Sequence, residues 1–334
     1  MTVSIIICTR NRAKDLVKTL QWFNDGLVSG KFATEVVVVD NASKDDTAAA
    51  VRAARIHGMS LRYVYEPRPG KCNAYNAGMA AARGEVLLFT DDDVRPAPDW
   101  VEQLAAPVIR RECDAVTGQI RLADYLERSW MTPMHRFWLA VPFPGSNGDL
   151  ELTGANMGFH RYVLERVPAF DPELGPGALG FGDESLFSLQ LRVAGYRLRQ
   201  IPEALVVHHL DPARLSRSHW LTDARKRGAS QSYLLHHWHH VALKNPWARA
   251  HYLAGKLRLR RMLQRPDPME AENCAAWEIS YLANLEMFRH FLKERERPRN
   301  YARQGLVKIG GLLPGAIEKL QERGREAAPA PAAT

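Results

Sequence analysis

The chain has 334 residues, of which 46% are hydrophobic and 25% are charged, and its formal net charge is +8. This composition is typical of a globular protein and excludes a disordered one, and the length allows one large domain with an appendage or two domains. No apolar run approaches the ~20 residues of a membrane-spanning helix, and the first apolar run is followed rather than preceded by basic residues, so we expect no membrane span and no signal peptide.

The cysteines and the positive charge are unevenly distributed. The four cysteines are scattered without Cys-x-x-Cys spacing, which favours reduced thiols in a cytoplasmic protein over disulfides or a zinc site. Residues 213–265 hold 12 Lys and Arg residues against a single acid, Asp223. Such a stretch predicts a partner that carries phosphate, although a solvated helical face is the simpler alternative.

The first 120 residues alternate between apolar strands and helices. Apolar and β-branched runs predict strands over 3–8, 35–39, 61–65 and 85–90. Helices are predicted between them, one with an S-x-x-D start at 43–46 and one Ala-rich over 73–83. Strands that are apolar on both faces and alternate with helices predict a mostly parallel sheet with helices on both sides.

Beyond residue 120 this alternation stops. An aromatic-rich stretch (129–145), a small-residue segment (152–159) and a glycine-rich loop (175–187) precede a helix and the strand 204–209. After residue 215 the pattern is helical, with breaks at prolines. We therefore divide the chain into two halves of one α/β domain, a helical C-terminal extension and a disordered low-complexity tail, with the bounds 1–120, 121–230, 231–325 and 326–334.

Three consecutive acids, Asp91, Asp92 and Asp93, follow the fourth predicted strand. Ligands of parallel sheets bind outside the carboxyl ends of the strands, where Asp40 and Thr9 also stand. An Asp-x-Asp pair at that edge favours magnesium or manganese, because these hard cations prefer oxygen ligands and share them with a diphosphate. The alternative is a surface turn whose acids bind no metal. The buried strand that precedes the three acids makes this alternative the weaker interpretation.

Five motifs occur in the order that is typical of one family, namely "SIIICTRNR", "VVVVDNAS", "GKCNAYNAG", "LLFTDDD" and "GFGDESLFSLQLRVAGYRL". Together they resemble the family 2 glycosyltransferases over residues 1 to about 230. The resemblance implies the Rossmann-like GT-A fold, with a mixed, mostly parallel sheet. It also implies a metal-dependent, inverting transfer of a sugar from a nucleoside-diphosphate sugar to a hydroxyl acceptor, as in cell-envelope or polysaccharide glycan synthesis. UDP is favoured by family frequency, while dTDP and GDP stay open.

The resemblance further implies roles for individual residues. Thr9 and Arg10 would line the nucleotide pocket, and Asp40 would accept hydrogen bonds from the base. The other donor contacts that it implies are Lys71, Asn76, Asp91, Asp92, Arg217 and Arg225, with Lys226 beside them. Asp93 would be the principal ligand of a manganese or magnesium ion. Asp91 would assist it, and His208 or His209 would be a third ligand.

Asp183 and Glu184 stand where the family has a Glu-Asp pair with the catalytic base. Because the order is reversed here, Glu184 matches the base by position and Asp183 by residue type. Acids at a helix N-terminus are the alternative explanation. Asn156 and Trp220 are the candidate acceptor contacts. The histidine run 234–240 has metal-like spacing but no acid beside it in the sequence, so a helix surface is favoured.

Two other functions are weighed against this one. A nucleotidyltransferase would normally show a glycine-rich loop after the first strand, which "CTRNRAKD" lacks. A non-catalytic module that binds nucleotide-sugars or membrane surfaces would not need acids at every site. The segment 256–265, in which leucines alternate with basic residues, predicts peripheral binding to anionic lipid at the inner face of the plasma membrane. No nucleic-acid module accompanies it. The expected acceptor is a glycan or lipid-linked sugar, and a homo-oligomer stays open.

Overall fold

The structure, a computed structural model, describes residues 2–26, 32–141, 150–264, 272 and 274–310. The strands are β1 (Thr2–Thr9), β2 (Ala33–Asp40), β3 (Ser60–Tyr65), β4 (Val86–Asp91), β5 (Val94–Pro96), β6 (Ala115–Leu122), β7 (Asn156–His160) and β8 (Leu198–His208). The helices are α1 (Ala13–Gly26), α2 (Thr47–Ala53), α3 (Lys71–Ala81), α4 (Trp100–Ile109), α5 (Pro133–Trp138), α6 (Asp183–Val193), α7 (Arg217–Tyr233), α8 (Pro246–Gln264) and α9 (Ala276–Glu294). The tail predicted at 326–334 lies outside the described residues.

All eight strands form one mixed sheet in the order β3-β2-β1-β4-β7-β6-β8-β5. The four strands predicted in the first 90 residues are parallel neighbours. β7 is antiparallel to β4 and to β6, and the short β5 is antiparallel to β8. The predicted parallel half is therefore confirmed, and antiparallel strands extend it.

Alternate residues of the central strands enter two different hydrophobic layers. Ile5 and Ile7 of β1 pack with α1 and α4 on one face of the sheet. Ile6, between them, packs on the other face with residues of α3 and α6. Because side chains alternate along a strand, an apolar residue at every position is what a sheet covered on both faces requires. The prediction of helices on both sides is confirmed.

The acidic turn after β4 is held against the end of β8. Val94 of β5 pairs with His208, and the backbone N–H of His209 donates to the carbonyl of Asp93 at 2.8 Å. This pairing brings residues more than 110 positions apart in the chain to the same edge of the sheet. It fixes which of the two histidines lies beside the acids.

The helical part beyond residue 215 shares its core with the α/β domain. Trp220 of α7 packs in one cluster with Trp138, Leu257 and Ile279. Gly228 lies against α9 so closely that a Cβ atom there would collide with the carbonyl of Ala283. The boundary that we place at residue 230 therefore cuts through a continuous hydrophobic cluster. Among the described residues, no helix is long and apolar enough to span a membrane.

Two local predictions differ from the structure. The helix expected to start at 43–46 begins at Thr47, whose N–H and hydroxyl both donate to Asp45. His236 and His237 of the histidine run are buried rather than on a helix surface, because α7 continues into a π-helical turn over Leu234–Trp238 that packs against α9. The last two histidines of the run are half-buried. There His237 Nε2 lies 2.8 Å from Glu294 Oε2, an acid 57 residues further along the chain.

Candidate active site

The parallel strands end together at one edge of the sheet and deliver polar side chains there. Thr9 of β1 is in register with Asp40 of β2, and Cys8 is in register with Asp91 of β4. The structure therefore brings Thr9, Asp40 and the acidic turn to a single edge of the sheet, as expected.

Each of the three consecutive aspartates has a positively charged neighbour. Asp91 lies 2.8 Å from Lys71 Nζ. The Arg12 guanidinium spans the other two, with Nη1 2.8 Å from Asp92 and Nη2 2.8 Å from Asp93. The hydroxyl of Thr9 also donates to Asp92 at 2.6 Å. These pairings explain how three adjacent carboxylates can lie side by side in a largely buried turn.

A candidate metal centre lies in the same turn. Asp91, Asp93 and His208 each offer a ligand atom, and these atoms lie within 4.8 Å of one another. Asp93 Oδ1 is buried and 3.2 Å from His208 Nε2, without a well-aligned hydrogen-bond donor among the described residues. Two carboxylates and an imidazole with a carboxylate oxygen left open suit a hard divalent cation. His209 packs against Tyr125 instead and does not join this group.

Burial and charge shift the pKa values of these acids in opposite directions. Burial raises the pKa of Asp92 to about 7, although Arg12 opposes that shift. Burial alone would also raise the pKa of Asp93, but the charges of His208 and Arg12 hold it well below its ordinary range. Burial alone would lower the pKa of Lys71, but Asp91 together with other groups of the site raises it well above its ordinary value. The carboxylate of Asp93 is therefore held in its ionised form, as a metal ligand has to be.

Asp40 lies just behind the crevice. Its Oδ1 accepts the N–H of Ser43 at 2.9 Å, and its Oδ2 accepts the hydroxyl of Tyr63 at 2.8 Å. The next residue, Asn41, lines the crevice and ties it to the loop before α3, since its Oδ1 accepts the N–H of Gly70 at 2.8 Å. Asp40 therefore orders the loop that forms this wall.

Asp183 and Glu184 open α6 after Gly182, which has a left-handed φ of 84°. Asp183 is buried, and its Oδ2 has no hydrogen-bond partner among the described residues. Burial, followed by the neighbouring Glu184, raises the Asp183 pKa well above its ordinary value, so this acid is held neutral. Glu184 is only partly buried, and it approaches Gly154 so closely that a Cβ atom there would lie 2.5 Å from its Oε1.

Two adjoining cavities meet at the acidic turn. One, of about 370 Å³, is lined by Thr9, Arg10, Arg12 and the three aspartates, and extends to Lys226. The other, of about 410 Å³, contains Asp183 and Glu184 and is bounded by Phe137 and Trp138. Lys71, Asp91 and His208 line both. We call the first the donor cavity and the second the acceptor cavity.

Five expected site residues lie elsewhere. The amide of Asn76 is used by the backbone of Phe170, in both directions at 2.9 Å. Asn156 is buried within the sheet, where it bonds to Trp100 and to two backbone carbonyls. Trp220 is buried in the hydrophobic cluster and donates to Leu215. The remaining two are Arg217, which pairs with Glu278 at 2.5 Å, and Arg225, which lies on a groove between α8 and α9.

These corrections have simple physical reasons. Asn156 is expected from the sequence to contact the acceptor, but it begins β7 and satisfies buried carbonyls. In α7, Lys226 faces the donor cavity. Arg225 lies about 100° around the helix from it and faces away.

Three functional candidates escaped the sequence analysis, namely Arg12, Arg214 and Arg227. Arg12 belongs to the quoted "CTRNR" motif, but its pairing with two aspartates depends on the path of the loop after β1. Arg214 lines both cavities, and Arg227 lines the acceptor cavity. One face of α7 carries Asp223, Lys226 and Arg227, because these residues are spaced at i, i+3 and i+4. This spacing could have indicated Arg227.

Comparison with known proteins supports this picture. Residues 4–167 match the family described as Glycosyl transferase family 2. An uncharacterized protein of Sinorhizobium fredii is 35% identical over 234 residues, covering 64% of this chain and 25% of its own. An uncharacterized glycosyltransferase of Nostoc sp. is 31% identical over 187 residues, covering 52% and 55%. The chain thus spans only a quarter to about half of the length of these relatives.

A similar solved structure is that of a mannosyltransferase from Pyrobaculum calidifontis in complex with GDP-Man and Mn²⁺. It is 22% identical and has a TM-score of 0.57, and the match covers 87% of this chain and 86% of that one. At this identity the likeness concerns the fold, which is GT-A, as the motifs implied, with a helical C-terminal region.

Proposed function

Because the chain belongs to glycosyl transferase family 2 through residues 4–167, we propose that it transfers a sugar from a nucleoside-diphosphate sugar to a hydroxyl acceptor, with inversion at the anomeric carbon. The observation that carries this proposal is the pair of adjoining cavities. One contains a candidate cation site for a diphosphate, and the other contains a carboxylate that can take a proton. The anomeric carbon of the donor would lie beside the acidic turn, where the two cavities meet.

On the donor side, the nucleotide would occupy the donor cavity. Thr9 and Arg10 line it, and Asp40 orders the wall next to Asn41, so a uracil, thymine or guanine edge would meet this wall. UDP is our favoured nucleotide. Lys71 and Lys226 supply positive charge at either side of the acidic turn, where the diphosphate would lie.

Asp93, Asp91 and His208 would hold a manganese or magnesium ion. The open, buried oxygen of Asp93 and the chemistry of the three ligands support this assignment. Such an ion acts as a Lewis acid and neutralises charge on a leaving diphosphate. Arg12 would keep Asp92 and Asp93 in position for it, and Lys71 would do so for Asp91.

We assign the role of general base to Glu184. It is partly exposed at the acceptor cavity, whereas Asp183 is buried and held neutral by its raised pKa. The acceptor hydroxyl would lose its proton to Glu184 as its oxygen attacks the anomeric carbon. A single displacement opposite to the leaving diphosphate inverts the configuration.

We further propose that the extension brings the enzyme to an anionic membrane surface, at the cytoplasmic face, for an envelope glycan or lipid-linked acceptor. The α8 residues that are more than half exposed include Tyr252, Leu259, Met262 and Leu263. At about 100° per residue these four form a stripe on the side of the helix opposite the buried Leu257. We call it the α8 apolar stripe. Arg258 and Lys256 flank it, the arrangement of helices that lie at lipid surfaces.

Nucleotide binding and turnover together test the function. Thermal unfolding with UDP, GDP or dTDP, with Mn²⁺ or with chelator, should show a metal-dependent rise in Tm for one nucleotide. The matching sugar nucleotide should then release nucleoside diphosphate. Release of pyrophosphate from a nucleoside triphosphate would instead indicate a nucleotidyltransferase. Binding of sugar nucleotides with no turnover of any of them would indicate a binding module.

A matched pair of variants tests the base. Glu184→Gln should keep donor binding and lower transfer by about 10²–10⁴-fold, the usual effect of losing a general base. Asp183→Asn replaces an acid that is already neutral with an amide of the same shape, so its effect should be much smaller. The reverse result would assign the base to Asp183.

A further inference from the structure

Arg227 is a half-buried cation at the wall of the acceptor cavity. Its guanidinium carbon lies 3.9 Å from the ring centroid of Phe181 and 4.6 Å from that of Trp138. Its Nη2 donates to the carbonyl of Trp138 at 3.2 Å, while its Nε is buried without a partner among the described residues. Two aromatic rings therefore hold this planar group in place without satisfying its donors.

No carboxylate in the described part of the chain forms an ion pair with Arg227 within 4.0 Å. Asp223, one turn earlier on α7, pairs with His219 at 3.4 Å. Asp223 favours the charged form of Arg227 through space, followed by Glu184 and Glu151, but none of the three forms an ion pair with it. Burial lowers the Arg227 pKa to about 10, which still leaves it charged at neutral pH. A buried cation without a bonded counter-ion is unfavourable unless a ligand supplies one.

A second arginine adds to this charge. Arg214 is half-buried where the two cavities meet, and the described residues provide it with no ion-pair partner. The positive charges committed to the acidic turn, Lys71 and Arg12, are already paired with aspartates. Among the described residues, Arg214 and Arg227 are thus cations without an ion pair in the same cavity as Glu184.

We propose that the acceptor cavity is an anion subsite, in which Arg227 and Arg214 bind a carboxylate or phosphate group of the acceptor and present its hydroxyl to Glu184. A rigid guanidinium fork with free N–H groups matches the paired oxygens of either anion. This inference rests on the proposed function. In the transfer, the acceptor oxygen bonds to the anomeric carbon, the bond from that carbon to the diphosphate breaks, and the hydroxyl proton passes to Glu184. The acceptor anion is unchanged by the reaction.

Three six-carbon probes that differ in one group test the proposal: glucose, gluconate and glucose 6-phosphate. They are titrated into the full chain saturated with UDP and Mn²⁺, so that the donor cavity no longer attracts anions, and thermal unfolding is followed. We expect gluconate or glucose 6-phosphate, but not glucose, to raise the Tm. The probe that raises the Tm shows whether the acceptor carries a carboxylate or a phosphate.

Arg227→Gln should weaken binding of the responding anion about 10- to 100-fold, as expected for lost hydrogen bonds to a charged group. Arg227→Lys and Arg214→Gln provide second variants should Arg227→Gln fold poorly, and the exposed Arg303→Gln is the matched control. If neither anion stabilises wild type more than glucose does, or if the Arg227 variants respond as Arg303→Gln does, the inference is overturned. If GDP or dTDP stabilises the chain with Mn²⁺ in place of UDP, the probes are titrated with that nucleotide. If none of the three does so, the proposed function fails first, and the two failures are thereby distinguished.

Discussion

Replacing Arg12 by alanine tests the electrostatic arrangement of the acidic turn most directly. The substitution removes two contacts of 2.8 Å from Asp92 and Asp93, whose side chains are each only 4% exposed. Removing one partner of a fully buried pair destabilises a protein by roughly 3–5 kcal/mol. Here Arg12 itself is 34% exposed, so water partly replaces it, and His208 still faces Asp93. We therefore expect a loss of about 2–3 kcal/mol in the free energy of unfolding.

Equilibrium unfolding in urea, with chelator present and tryptophan fluorescence as the signal, measures this loss as a lower midpoint at an unchanged slope. The matched control is Arg10→Ala, because Arg10 is exposed and only two residues away. It should change the stability by no more than about 0.5 kcal/mol. Mn²⁺ should then stabilise the Arg12 variant more than wild type, since two acids have lost their cation. Equal midpoints for the two variants in chelator would refute the reasoning.

Four further outcomes follow from the structure. Asp93→Asn should abolish the metal-dependent stabilisation by UDP while leaving the fold intact; equal binding with and without chelator, in wild type as well, would remove the cation from this turn. Asp40→Ala removes the acceptor of the Ser43 N–H and the Tyr63 hydroxyl behind the donor cavity. It should therefore weaken nucleotide binding by about 1.5–3 kcal/mol, measured by calorimetry across the nucleoside diphosphates, and unchanged affinity would exclude Asp40 from the site. Burial alone would raise the pKa of Glu278, but its bonds to Arg217 and Arg261 lower it. The stabilisation that ionised Glu278 gives is therefore full above the unfolded pKa of about 4.3 and is lost as pH falls through the folded pKa. Wild type should thus lose stability in acid more steeply than Glu278→Gln does. Parallel curves of stability against pH for the two proteins would contradict this. Wild type should co-sediment with anionic vesicles at low salt and Leu259→Ser/Leu263→Ser should not, whereas wild type that stays in the supernatant would rule out the α8 apolar stripe as a lipid contact.

The central strands could be predicted because their sequence has to satisfy two hydrophobic layers at once. The central residues of both strands, Ile5–Ile7 and Val36–Val39, are apolar at successive positions for that reason, and the polar residues that end the strands mark the edge of the sheet. The same logic located Asp91 to Asp93 at the site. It could not choose between His208 and His209, because that depends on the register of β5 with β8.

The residues that sequence reasoning missed depend on packing between distant segments. Which face of α7 meets the acceptor cavity is set by its contact with α9, and so the role of Arg227 is not readable from α7 alone. Trp220 resembles a lid residue in the sequence, yet Trp138 and α9 enclose it. His237 has no acidic neighbour within the histidine run of the sequence, and α9 supplies Glu294 as its partner in the fold.

The close contact of Gly228 with α9 has a consequence for how this protein can be recombined. The helix that carries Arg227 over the acceptor cavity is the same helix that is fitted, without room for a methyl group, onto the extension. Exchanging the segment after residue 230 for that of a relative would therefore change the acceptor side of the active site as well. The extension packs directly against the helix that forms this wall, so chimeras should be joined before α7, not after it.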